Sequence, residues 1–202
     1  MKVIGVLGGV ASGKSLVARE LVRRGAGLLD ADRAGHDVLR LPEIEAAARE
    51  RWGEEIFGPD GRIDRARLGR VVFAGPPAGP CERKYLEQLT HPEIGRLLAR
   101  EAERLAASGS VAAALDAPLL LEAGWDKLCN ALVFVDAPRE LRLARARKRG
   151  WTVADFEARE RVQQSVDAKR QRADVIVDNS GSPDQTRVQV ERLWDSLVGL
   201  RN

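Results

Sequence analysis

The stretch Gly8-Gly9-Val10-Ala11-Ser12-Gly13-Lys14-Ser15 constrains this chain more than any other. It fits the pattern G-x-x-x-x-G-K-[ST], and its surroundings supply the context that the pattern needs. Before it, residues 2–7 read KVIGVL, a short β-branched apolar run that predicts a buried strand. After it, Leu16, Val17, Leu21 and Val22 recur among charges at helical spacing until Gly25 and Gly27 stop the helix. Glycines let the backbone take positive φ and approach a ligand closely. Successive N–H groups then converge on phosphate oxygens, aided by the positive end of the helix. Lys14 adds a mobile positive charge, and Ser15 adds a hydroxyl suited to Mg2+. A nucleotide triphosphate such as ATP is therefore expected against Gly9, Val10, Ala11, Ser12, Gly13, Lys14, Ser15 and Leu16. The loop does not name a reaction, since kinases, GTPases and motor ATPases share it. The chain has no N-K-x-D motif to read guanine and no LSGGQ-like signature of a transporter ATPase.

The rest of the chain predicts an α/β fold. Short apolar strands are expected at 2–7, 28–29 leading into Asp30-Ala31-Asp32, 111–115, 131–135 and 175–177. Helices are expected between them, at 33–39, 42–52, 64–73, 82–90 and 92–107, with a loop over AGPPAGP (74–80). Residues 139–172 read as a basic helical stretch, in which Thr152 and Asp155 are expected to cap a helix. Ser182-x-x-Gln185, with Pro183 between, is a capping box for a last helix. Five strands joined by helices imply a parallel five-stranded sheet flanked by helices on both faces.

Acids stand at strand exits, where ligands of open α/β sheets bind. Asp30 and Asp32 are two apart and would share one side of an extended chain. Asp32 is the candidate base for an attacking hydroxyl, with capping of the next helix as the plain alternative for both acids. Asp116 ends the third strand and is the candidate acid for Mg2+. In the basic stretch, Arg142, Arg145 and Arg149 recur at i, i+3 and i+7, on one helical face. Guanidinium groups suit a transferring phosphoryl group, so Arg145, Arg149 and Arg159 are candidates to meet it; an ordinary solvated basic face is the alternative.

Charge and cysteine content exclude other classes. Lys and Arg exceed Asp and Glu by 33 to 30, too even and too dispersed to predict a nucleic-acid surface. No run of 18 apolar residues occurs, so no membrane span is expected, and the short glycine-broken stretch after Lys2 does not read as a leader. Cys81 and Cys129 lack ligand spacing and read as buried free thiols of a protein in a reducing compartment, here the cytoplasm. His36 and His91 are too far apart to predict a metal site, and Trp52, Trp125, Trp151 and Trp194 read as core residues. A monomer or a small homo-oligomer is expected.

Taken in order, IGVLGGVASGKS, LLDADRAGH (28–36), LTHPEI (89–94), DAPLLLEAG (116–124), FVDAP (134–138) and ADVIVDNSGS (173–182) resemble the dephospho-CoA kinase family over nearly the full length. Leu16 stands where the family often carries a hydroxyl residue, and Trp151 where a small residue is common. The resemblance implies a single P-loop kinase domain over 1–202, with a helical CoA-side insertion at about 60–108 and a lid at about 139–172. It implies ATP and dephospho-CoA as substrates and phosphorylation of the ribose 3′-hydroxyl. By the same resemblance, Lys14, Arg145 and Arg149 join Asp32 as catalytic groups, and Arg159 and Asn179 lie on the nucleotide side. Asp32, His91, Leu119 and Glu122 lie on the acceptor side. Another small-molecule P-loop kinase, or a non-catalytic ATP-binding regulator, stays open as an alternative.

Overall fold

The computed structural model describes residues 1–199. Five strands, β1 (Lys2–Gly8), β2 (Gly27–Asp30), β3 (Ala112–Asp116), β4 (Ala131–Asp136) and β5 (Val175–Asp178), form one parallel sheet in the order β2-β3-β1-β4-β5. The helices are α1 (Lys14–Arg23), α2 (Ala31–Val38), α3 (Pro42–Trp52), α4 (Arg65–Val72), α5 (Ala78–Ala107), α6 (Arg139–Lys148), α7 (Val153–Arg161), α8 (Val166–Gln171) and α9 (Pro183–Leu197). The expected α/β architecture with a five-stranded parallel sheet is present.

The chain divides into two compact units. One comprises Met1–Asp30 and the chain from Ala99 onward; the other comprises Ala31–Leu98. In the first, β1 is buried on both faces, as a central parallel strand must be. Ile4 and Val6 face one layer, packing with Val17, Ala18 and Leu21 of α1 and with Val190 and Leu193 of α9. On the opposite face Gly5 leaves room for Leu132, Leu120 and Cys129, whose Sγ would stand 2.7 Å from an added Cβ. The first turn of α9 has both halves of the expected capping box, Ser182 with Gln185. Thr152 and Asp155 cap α7 in the same way.

The second unit is helical and has its own core of Ala48, Ile56, Phe57, Leu68 and Val72. Trp52 packs against that core, and its Nε1 donates to Glu82 at 2.8 Å. Asp64 caps α4 by accepting from the amides of Ala66 and Arg67.

Two local expectations are corrected. The predicted break before Pro92 does not occur: α5 runs unbroken through it, and it begins inside the expected 74–80 loop. Proline forfeits one backbone bond there, a cost of roughly 3 kcal/mol in a helix interior. The buried Ile94 and Leu98, on the following turns, supply packing that offsets it. The strand expected to run on to Asp32 ends at Asp30, and Asp32 lies in the first turn of α2. Ala31 and Ala34 favour helix, and an acid in the first turn is stabilised by the helix dipole.

Candidate active site

Residues 8–15 join β1 to α1 through a tight turn that only unusual backbone angles allow. Gly13 has φ +104° and caps α1, and an added Cβ would stand 2.1 Å from Asn179 Nδ2. Ala11 has φ +58°, the one non-glycine residue with positive φ among the described residues. That conformation costs about 1–2 kcal/mol for an L-residue and persists only where neighbours enforce it. Ala11 and Val10 are buried against Ala146 of α6 and Phe156 of α7.

The carbonyls of this loop are held by donors from its own lysine and from three side chains on two other elements. Lys14 Nζ donates to Gly8 O (3.2 Å) and Gly9 O (3.1 Å). The Ser12 amide also donates to Gly9 O. Asn179 Nδ2, just past β5, donates to Ser12 O at 2.7 Å, and Arg145 Nη1 of α6 donates to the same oxygen at 3.0 Å. Arg142 Nη1 donates to Val10 O at 3.3 Å. Burial first, and then the positive charge of Lys169, push the Lys14 ammonium down to about 8, with Asp116 acting the other way. The Ser12 hydroxyl is fully buried and has no hydrogen-bond partner among protein groups.

The sheet sets acids beside this loop. Asp116 pairs in register with Val6, two residues before Gly8, and on its other side with Asp30. Ser15 is exposed in the first turn of α1, where amides have no carbonyl within the helix. Asp32 is exposed on α2, so the two-residue spacing that would have aligned it with Asp30 does not operate. His91 is half-buried within α5, and burial pushes its pKa below the usual histidine range. Asp32 and His91 belong to the second unit.

The basic stretch divides by role. Arg145 has both terminal nitrogens engaged, on Ser12 O and, at 2.7 Å, on Asn179 O. Arg149 follows the last residue of α6 and is exposed. Arg159, on α7, stacks its guanidinium 4.2 Å from the centre of the Trp151 ring. Leu119 and Glu122 lie between β3 and β4, both partly buried.

Two residues not singled out as site candidates tie this region together. Arg142, readable only as one member of the basic face, is 4% exposed. Lys169 is buried on α8 with its ammonium 3.1 Å from Glu122 Oε1, 2.9 Å from Gln163 Oε1 and 3.3 Å from Pro118 O. Glu122 Oε1 also accepts from the Gln164 amide at 2.6 Å, while its Oε2 is buried without a partner. Nothing in the spacing of residues 163–169 signals that this lysine turns inward.

A turn whose carbonyls are bonded to protein donors, a lysine beside it and acids on the adjoining strand are suited to holding a nucleotide's phosphates. Comparison with known proteins carries the assignment further. The sequence profile described as Dephospho-CoA kinase matches residues 2–185. The dephospho-CoA kinase of Symbiobacterium thermophilum is 41% identical over 203 residues, covering 98% of this chain and 82% of that one. The dephospho-CoA kinase of Anaeromyxobacter dehalogenans is 41% identical over 204 residues, covering 100% and 94%. Among solved structures, TT1252 from Thermus thermophilus superposes with a TM-score of 0.79 at 34% identity, covering 97% of each chain. The chain therefore belongs to the dephospho-CoA kinase family.

Proposed function

We propose that this chain transfers the γ-phosphoryl group of ATP to the ribose 3′-hydroxyl of dephospho-CoA, giving CoA and ADP. The observation that supports this most is the phosphate loop, with its Gly8, Gly9, Val10 and Ser12 carbonyls bonded to protein donors, in a chain of this family. Amide N–H groups and the Lys14 ammonium hold the phosphates while charge moves onto their oxygens. Asp32 accepts the proton of the 3′-hydroxyl as its oxygen bonds to the γ-phosphorus. The bond from that phosphorus to the bridging oxygen breaks, and ADP leaves with the electron pair.

Arg149 and Arg159 meet the transferring group from the stretch 139–172, which acts as a lid. Arg145 contributes its charge from behind Ser12. Asn179 and Leu16 stand on the nucleotide side. His91, Leu119 and Glu122 contact the acceptor, with helices in the region of about 60–108 forming its surface. Ser15 and Asp116 offer hard oxygen donors that fit Mg2+ and would hold it. When bound, the ion would neutralise charge on the phosphate oxygens. We further propose a cytoplasmic monomer or small homo-oligomer; among the described residues no helix is long and apolar enough to cross a membrane.

Coupled ADP release with a panel of acceptors tests the reading. Dephospho-CoA should stimulate release over ATP alone, and other hydroxyl acceptors should not.

A further inference from the structure

We propose that Arg142 is a positioning residue for the phosphate loop, and that Glu160 couples helix α7 to the loop through it; this rests on reading residues 8–15 as the ATP-binding loop. A loop that grips phosphate with its amides must turn carbonyls away, and each such carbonyl needs a donor. Asn179 and Arg145 serve Ser12 O, and Arg142 serves Val10 O. Ala11, with its positive φ, lies between these two restrained carbonyls, so its strained conformation depends on both.

Arg142 is placed for this task by three elements at once. Its Nε donates to Ala137 O at 3.2 Å, in the turn between β4 and α6. Its Nη1 lies 3.3 Å from Val10 O and 2.6 Å from Glu160 Oε1 on α7. The Phe156 ring lies 5.6 Å from the guanidinium. An added Cβ on Gly9 would stand 2.8 Å from Nη1, so the loop backbone and this side chain are packed without slack. An arginine is buried this fully only where its donors are paired, and only a planar fork reaches three groups on three elements. Among the described residues Glu160 is the one acid paired with Arg142, and it sits on α7. A shift of α7 that withdraws Glu160 therefore releases Arg142, and with it the Val10 peptide. Arg142 thus links phosphate affinity to the position of α7, beside the apolar packing of Phe156 on Val10 and Ala11.

The test measures the Kd of an unhydrolysable ATP analogue by calorimetry, and the steady-state KM of each substrate. The proteins are wild type, Arg142→Met, Glu160→Gln and the double variant. Arg142→Met should weaken analogue binding and raise the ATP KM about tenfold, the loss expected for one charge-assisted hydrogen bond. The KM for dephospho-CoA should stay within about twofold, a split that general loosening of the fold would not produce. Glu160→Gln should weaken analogue binding in the same direction, and the double variant should bind no worse than Arg142→Met alone. An unchanged Kd in Arg142→Met would overturn the positioning role, and losses that multiply in the double variant would overturn the coupling. If Arg142→Met does not fold, Glu160→Gln decides alone, since unaltered analogue binding there would sink the proposal. A wild-type chain that bound no nucleotide would remove both this inference and the reading beneath it.

Discussion

At the scale of single residues, the loop works through backbone angles that few side chains tolerate. Gly13→Ala would place a Cβ 2.1 Å from Asn179 Nδ2 at φ +104°. It should break the Asn179–Ser12 bond and raise the ATP KM by about tenfold or more, read by steady-state kinetics. Asp32→Asn removes the proposed proton acceptor and leaves residues 8–15 unchanged in sequence. It should lower kcat by about 100-fold or more while leaving analogue binding near wild type, since general-base contributions run from that size upward. Near-normal turnover in that variant would remove Asp32 from the role. The two cysteines should part in reactivity. Cys81 is exposed, against the expectation that both thiols are buried, whereas burial and the nearby Asp126 push the Cys129 thiol up to about 12. At pH 8 a thiol-labelling reagent should modify Cys81 and leave Cys129 intact in the native protein, with mass spectrometry of the digest as the readout. The lysine and glycines of the loop were legible in the sequence because their spacing is the chemistry. Lys169 was not, because a lone lysine in a basic stretch looks solvated until the fold turns it onto Glu122.

At the scale of elements, packing decided what local pattern left undetermined. Pro92 reads as a helix break, yet α5 passes through it, because the buried Ile94 and Leu98 reward continuity. Likewise β2 stops at Asp30, and α2 begins at once, with the buried Ala31, Ala34 and Val38 on its inner face. The capping box of α9 was legible, because a cap is a local motif whose geometry needs no distant partner. Ser182→Ala should cost about 1 kcal/mol by urea unfolding, the usual loss of an N-cap hydroxyl. The ion pair between α8 and the β3–β4 connection is a larger matter. Lys169→Met leaves the Glu122 carboxylate without its cation, and breaking a buried pair from one side costs about 3–5 kcal/mol. Thermal unfolding should show a clear fall in Tm. The double variant Lys169→Met with Glu122→Gln should recover part of it, because no unpaired charge then remains.

At the scale of the whole molecule, the sheet order fixes where chemistry can occur. With β1 central between β3 and β4, the phosphate loop leaves the sheet beside Asp116, in the crevice where open parallel sheets bind ligands. The strands, the glycines and the acids at strand exits were legible in the sequence, whereas the order of the strands across the sheet was not. Nor was the acceptor, since a hydroxyl leaves no motif in the chain that receives it, and its identity comes from family membership. The most direct measurement is therefore ADP release from purified protein with ATP and Mg2+, with and without dephospho-CoA, followed by mass analysis of the acceptor. Dephospho-CoA should stimulate ADP release and gain one phosphoryl group on its ribose. ADP release that dephospho-CoA leaves unchanged, with the acceptor recovered unmodified, would contradict the account.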